Sequence, residues 1–372
     1  MLRMATMADR ETLKALWQLC FQEEPAFLDW FFNNRFLPDY CPVWEEDGKI
    51  AAALHSLPVY ISLRDVILPC AIVAGVATHP DCRGRGLMHQ LFAFFMGRLQ
   101  NDGVPLIAHR PVNLEIYHSV GHFPACDSRY IDLSPTMPRP ATDDCVQWAI
   151  ARHEVALYRC YACFAKRYSG MVQRSYADFV LKCRDYLSSG AKCIAALDKA
   201  GNVEGYCIYF DNAYEKDNTL LGEECVALSP SAYERLYTAL ARRSIGRPLN
   251  LRLAPDAGLT PPGARVSVLP RGVLGVTDVA ALLSAMGLPN EGAIEVIDPL
   301  LPANRGVFSL AGKPTSARPQ LRISAGRLAQ WAVGYRSMGQ IVKMMQAAAP
   351  DPSIVARMDK LGTRPCFMID EY

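Results

Sequence analysis

The chain has 372 residues, with 39 Lys and Arg against 37 Asp and Glu and a formal net charge of +2. Half of it is apolar and a fifth charged, as in ordinary globular proteins, and its length points to two or three domains rather than one core. The near-neutral balance gives no electrostatic case for nucleic acid or anionic lipid as a partner, and no apolar run is long enough to span a bilayer.

The first residues, Met1-Leu2-Arg3-Met4-Ala5-Thr6-Met7, hold no apolar stretch of the signal-peptide kind, so a cytoplasmic location is expected. The 13 cysteines are irregularly spaced. Cys160 and Cys163 form a single Cys-x-x-Cys with no second pair and no spaced His pair. We read the cysteines as small buried apolar residues and assign neither disulfides nor a metal.

In chain order, residues 11–21 and 25–34 have the periodicity of two amphipathic helices, the second with Pro25 in its first turn. Strands are expected at 43–44, 50–57 (after the Asp47-Gly48 turn), 59–63 and 67–78. A helix over 87–99, a buried strand over 104–109, a short helix over 113–120 and a strand over 129–133 complete the pattern. Ser134-Pro135-Thr136-Met137-Pro138-Arg139-Pro140 then marks a linker, because its prolines continue neither a helix nor a central strand.

Residues 146–187 read as mostly helical. A hairpin over 192–197 and 205–210, a strand over 223–228, a helix over 231–242 and a strand over 249–253 follow. This order repeats that of 49–109 in pattern, not in residue identity. From about residue 292 strands are expected at 294–297, 306–310 and 320–323, and helices at 325–333 and 338–348.

The strongest local signal is Val73-Ala74-Gly75-Val76-Ala77-Thr78-His79-Pro80-Asp81-Cys82-Arg83-Gly84-Arg85-Gly86-Leu87-Met88. A buried strand leads through a turn into glycines that open a helix. Unpaired N–H groups and the partial positive charge of a helix start suit a pyrophosphate. Glycines at 84 and 86 permit close approach and positive φ, and the arginines add charge. The second copy has Ala227-Leu228-Ser229-Pro230-Ser231-Ala232 at this place, so it is expected to keep the fold without the cofactor.

The loop resembles the acyl-CoA signature of the GNAT superfamily, Arg/Gln-x-x-Gly-x-Gly/Ala, here Arg83-x-x-Gly86-x-Met88, with Met88 where Gly or Ala is usual. The resemblance implies acetyl-CoA as cofactor and a splayed pair of parallel strands. Val76, Ala77 and Thr78 would present backbone groups to the pantetheine arm. Arg83, Gly84, Arg85, Gly86, Leu87 and Met88 would hold the pyrophosphate. Tyr117 to Phe123 resembles the Tyr-x-x-x-Gly-Phe segment closing the GNAT core, whose Tyr can protonate the departing thiolate.

A glycine-containing first unit, a glycine-poor second unit and a small last unit together resemble the Eis-type acetyltransferases. Glu295-Val296-Ile297-Asp298-Pro299 and the ending Phe367-Met368-Ile369-Asp370-Glu371-Tyr372 add to this. The implied fold is α/β (α+β): two GNAT-type mixed-sheet units at 1–134 and 141–288, then a sterol-carrier-like domain at 289–372. The family also implies a hexameric homo-oligomer and a C-terminal carboxylate as base, here that of Tyr372. Eis enzymes carry a Tyr acid just after the closing-segment Gly, where this chain has His122. An imidazolium with a reference pKa of about 6.5 can serve, so Tyr117 and His122 both stand as candidate acids.

Glu24 and Asp29, with Glu23 beside them, and Glu371 with Asp370 at the tail favour a cationic amine: an aminoglycoside, a polyamine or a lysine side chain. The expected function is amine N-acetylation. The alternative is a non-catalytic acyl-CoA-binding or lipid-carrying protein.

Overall fold

The computed structural model describes residues 1–111, 113–213, 218–345 and 350–370. The chain opens with β1 (Leu2–Met4), α1 (Arg10–Phe21), α2 (Pro25–Asn34), β2 (Pro42–Glu46), β3 (Lys49–Leu63) and β4 (Val66–Thr78). Next come α3 (Leu87–Asn101), β5 (Leu106–His109), β6 (Phe123–Leu133), β7 (Val146–Trp148), α4 (Ile150–Ala165) and α5 (Tyr176–Ser188). They are followed by β8 (Lys192–Leu197), β9 (Val203–Phe210), β10 (Leu220–Ala227), α6 (Pro230–Arg243), β11 (Leu249–Leu253) and β12 (Arg265–Val276). The last are α7 (Val279–Ala285), β13 (Ala293–Ile297), β14 (Gly306–Ser309), β15 (Leu321–Ser324), α8 (Ala325–Val333), α9 (Met338–Met345) and α10 (Pro352–Asp359). No helix among the described residues is long and apolar enough to cross a membrane.

Two compact units divide the chain: Met1–Cys126 with Arg271–Cys366 and Asp370–Tyr372, and Asp127–Pro270 with Phe367–Ile369. In the first, neighbouring strands run β1-β2-β3-β4-β5-β12. Asp47 and Gly48 both take positive φ, the two-residue hairpin geometry that joins β2 to β3. The strands expected at 50–57 and 59–63 are one strand, unbroken by Pro58. There β3 pairs with β4 only, since β2 pairs no further than Ala53, so no ladder on that side needs the missing N–H.

Alternate residues of β3 and β4 face opposite layers. Ala53 and Ala77 pack under α1 and α2 with Trp17, Phe31 and Phe32. Leu54, Ala71 and Val73 pack under α3 with Phe92, Phe95 and Leu99, and Leu301 joins the same core from the C-terminal part. That part has its own three-stranded sheet, in the order β14-β13-β15.

Arg64, in the turn after β3, donates to four carbonyls: Trp331 (2.8 Å) and Ala332 (2.9 Å) at the end of α8, and Leu361 (2.6 Å) and Gly362 (2.9 Å) after α10. A cation satisfying orphan carbonyls at a helix end stabilises by about 0.3–1 kcal/mol.

The second unit orders its strands β6-β11-β10-β9-β8-β7. β10 and β11 are parallel but pair only at Leu220–Gly222, and a bulge at Glu223 interrupts the register with β9. β4 and β5 do the same in the first unit, pairing only at Cys70–Ile72, with a bulge at Ala74 against β3. The repeat inferred from pattern is therefore also a repeat of bulge and splay.

Within the second unit, Glu224 is fully buried and takes a bidentate pair from Arg174 at 2.8 and 3.1 Å. The hydroxyls of Tyr206 (2.6 Å) and Tyr186 (3.1 Å) also donate to it.

Three expectations are corrected. Residues 146–148 are a strand paired with β8 rather than the start of a helix. β12 was not expected: Pro270, Gly272 and Gly275 break its alternation, yet it pairs with β5 over Val273–Val276. α10 was also missed, and residues 346–348 of the expected 338–348 helix lie outside the described residues. Of the cysteines only Cys163 is exposed.

Candidate active site

β4 and β5 part after Ile72 and Ala108, so from Val73 to Thr78 β4 has a strand partner on the β3 side only. The edge toward β5 is left for an extended ligand, as in strand addition. Val76 and Thr78 are half-buried on this stretch, whereas the Ala77 side chain is buried under α1 and α2 and offers backbone alone. The Thr78 carbonyl already accepts from Arg83 Nε at 3.3 Å and from Cys20 Sγ at 3.4 Å.

Gly84 (φ +76°) and Gly86 (φ +72°) are left-handed, and a Cβ at either would meet only open space. Gly86 begins α3 without any side-chain cap. The first N–H groups of a 15-residue helix thus face an open, glycine-lined surface, which suits a pyrophosphate. Leu87 is buried against Ala51, Ala52 and Leu91, and Met88 packs toward Phe92 and Phe95. Both anchor the helix and can offer only backbone groups. Arg83 is exposed, while Arg85 makes an exposed bidentate pair with Glu46 at 2.7 and 2.8 Å. A surface pair of this kind exchanges readily with a phosphate.

The corresponding turn of the second copy is built differently. Ser229 caps α6 by accepting from the Ala232 N–H at 3.1 Å, with Pro230 in the first turn and Glu204 accepting from the Ser229 hydroxyl. Beyond the splay, Arg252 pairs with Glu223 and donates to the Ile369 carbonyl, and Phe367 and Ile369 are buried in that unit's core.

A cleft of about 350 Å³ opens beside the splayed end of β4. Phe21, Glu23, Val73, Val76, His109, Arg110, Ile116, Tyr117 and Asp370 are among the residues lining it. Asp370 is fully buried, and Phe21 and Ile116 are exposed apolar groups. Burial, and then neighbouring Glu24, push the Glu23 carboxyl above its usual range. Burial raises the Tyr117 phenol, which stays protonated.

Several expected site residues move. Asp29 pairs with Lys14 on the exposed side of α2, and neither it nor Glu24 lines the cleft. Gln22 ends α1 in the left-handed conformation, and after that turn Glu23 is the residue on the cleft. Glu371 and Tyr372 lie outside the described residues. His122 is wholly buried, and burial pushes its imidazole down to about 3, so the imidazolium expected there is not formed. It sits behind His109, its Nδ1 2.9 Å from His109 Nε2. Sequence reasoning did not place His109 on the cleft, since a His closing a short buried strand carries no motif.

Residues 1–125 match the acetyltransferase (GNAT) domain family, and residues 279–365 match the sterol carrier protein domain family. The chain therefore carries a GNAT acetyltransferase domain, whose cofactor is acetyl-CoA, and a sterol carrier protein domain. Its architecture is of the Eis type. Eis1 from Mycobacterium abscessus aligns over 100% of both chains at 18% identity with a TM-score of 0.74. GCN5-related N-acetyltransferases from Anabaena variabilis and Kribbella flavida also align over 100% of both chains at 18% identity, with TM-scores of 0.81 and 0.76. No curated protein matches the sequence significantly.

Replacing Gly86 by Val should raise KM for acetyl-CoA about tenfold, because a left-handed non-glycine residue costs roughly 1–2 kcal/mol and 1.4 kcal/mol is a factor of ten. Thiol-release kinetics measure this. An unchanged KM would remove Gly86 from the pyrophosphate seat.

Proposed function

We propose that the chain transfers the acetyl group to a primary amine on a cationic acceptor, with a lysine side chain or polyamine ranked above an aminoglycoside. The observation that carries this reading is the pairing, in one cleft, of the carboxylates Glu23 and Asp370 with the phenol of Tyr117. Acetyl-CoA, when bound, supplies the activated acetyl group.

Asp370 holds the ammonium. Glu23, whose raised carboxyl is a better base than an ordinary one, takes its proton. Tyr117 keeps a proton on Oη for the leaving side of the reaction. Phe21 and Ile116 offer the rim an apolar contact, and each methylene of an alkyl stem buried there is worth about 0.8 kcal/mol. Aminoglycosides carry charge without such a stem. The tail carboxylate expected as base, that of Tyr372, lies outside the described residues, and Asp370, two residues before it, lines the cleft.

A panel of lysine peptides, polyamines and aminoglycosides, assayed by thiol release, tests the proposal. Lysine peptides and polyamines should show kcat/KM about tenfold above aminoglycosides, the factor that 1.4 kcal/mol of stem burial would give. Absence of turnover with every amine, acetyl-CoA binding being intact, would sink the amine reading.

A further inference from the structure

His109 and His122 form a pair that the amine chemistry above does not use. His122 is fully buried and His109 nearly so, with His109 Nε2 2.9 Å from His122 Nδ1. Burial drives both imidazoles far below their ordinary titration range, and His122 further lowers His109. Each ring is therefore neutral and carries one proton.

The surroundings are made for the pair. Phe92 stands edge-on to His122 at 5.2 Å, and Tyr117 lies edge-on to His109 at 4.2 Å between ring centroids. A Cβ on Gly275 would fall 2.1 Å from the His122 ring, so β12 carries a glycine where the imidazole needs the space.

The hydrogen-bond balance decides where the two protons sit. His122 Nε2 is buried without a partner. If His109 donated from Nε2, the His122 proton would have to sit on that nitrogen as an orphan buried N–H. If His122 donates from Nδ1, the orphan is only an acceptor lone pair. Orphan buried donors are the rarer and costlier case. The second arrangement wins, and it leaves the His109 proton on Nδ1.

Resting on the acyltransferase reading above, we propose that His122 is a positioning residue that locks His109 in its Nδ1–H tautomer. The cleft wall thereby offers a neutral imidazole donor beside Tyr117. Orientation of one His by another group's hydrogen bond is a general device; here the orienting group is itself a neutral imidazole. No carboxylate contributes to the shift of either ring.

The test is nitrogen-15 NMR of the full chain labelled at its 7 histidines, recorded without CoA, with His109→Gln identifying its resonances. The expected spectrum shows both His109 and His122 protonated on Nδ1. His122→Phe should release His109 to a tautomer mixture and lower kcat about 10- to 100-fold, the usual cost of removing an orienting partner, with KM for acetyl-CoA unchanged. His122→Asn, whose amide N–H stands where Nδ1–H stood, should restore the tautomer and most of kcat.

A wild-type spectrum with His109 protonated on Nε2 overturns the proposal, as does an unchanged His109 tautomer in His122→Phe. With His109 assigned, the wild-type spectrum decides even if His122→Phe fails to fold. It is also independent of whether any acceptor amine has been found, so its failure is distinct from failure of the amine reading.

Discussion

Ending the chain at Ile369 should lower kcat for amine acetylation by about 10²- to 10⁴-fold, the range for losing a positioned acid–base group. KM for acetyl-CoA should stay near its original value. The donor seat is built from β4 and the start of α3, far in sequence from the deleted residues. The truncated tail should remain anchored, because Phe367 and Ile369 are core residues and the Ile369 carbonyl accepts from Arg252. What is lost from the cleft is Asp370, fully buried and on its wall. Asp370→Asn in the full chain apportions the effect between that carboxylate and the two residues after it. Wild-type kcat in the truncated protein would dismiss the tail from the chemistry.

Removing the buried carboxylate of Glu224 should cost about 3–5 kcal/mol, because Glu224→Ala leaves the Arg174 guanidinium buried opposite a void. The side chains of both partners are almost fully enclosed, at 1% and 0% exposed. Two tyrosine hydroxyls lose their acceptor as well. Chemical denaturation should report the loss, and the double variant Glu224→Leu/Arg174→Met should recover much of it. A loss below about 1 kcal/mol, the worth of a surface pair, would contradict this account.

Burial pushes the Glu224 carboxyl up, but Arg174, Tyr206 and Lys182 outweigh it and hold the group below its usual range. This stabilisation is therefore complete above the unfolded value of about 4.3 and is lost as pH falls through the lower folded value. Glu224→Ala should flatten the stability curve in that acid window.

The parts legible in the sequence were those with local physics. The 83–88 loop announces itself through glycines that only a left-handed backbone requires, and both do adopt it. The second copy was visible because hairpin, strand, helix and strand alternate in period as well as in order. Its lack of the loop glycines was visible in Ala227–Ala232, where Ser229 caps α6.

What was hidden depends on distance. Glu46 holds Arg85 from 39 residues away. Choosing Glu23 over Glu24 required the left-handed Gln22, which the helical pattern does not disclose. The tautomer of His109 depends on His122 and on a glycine of β12, a strand whose own Pro and Gly residues disguised it.

The capped turn before α6 has a consequence for counting. A chain in which the same bulge and splay recur in two places invites the expectation of two equivalents of donor. Calorimetric titration with CoA should instead saturate at one per chain, since Ser229 occupies the Ala232 N–H and Pro230 has none to offer a second pyrophosphate. The recurrence lies in the strand ladder and is not expected in the stoichiometry.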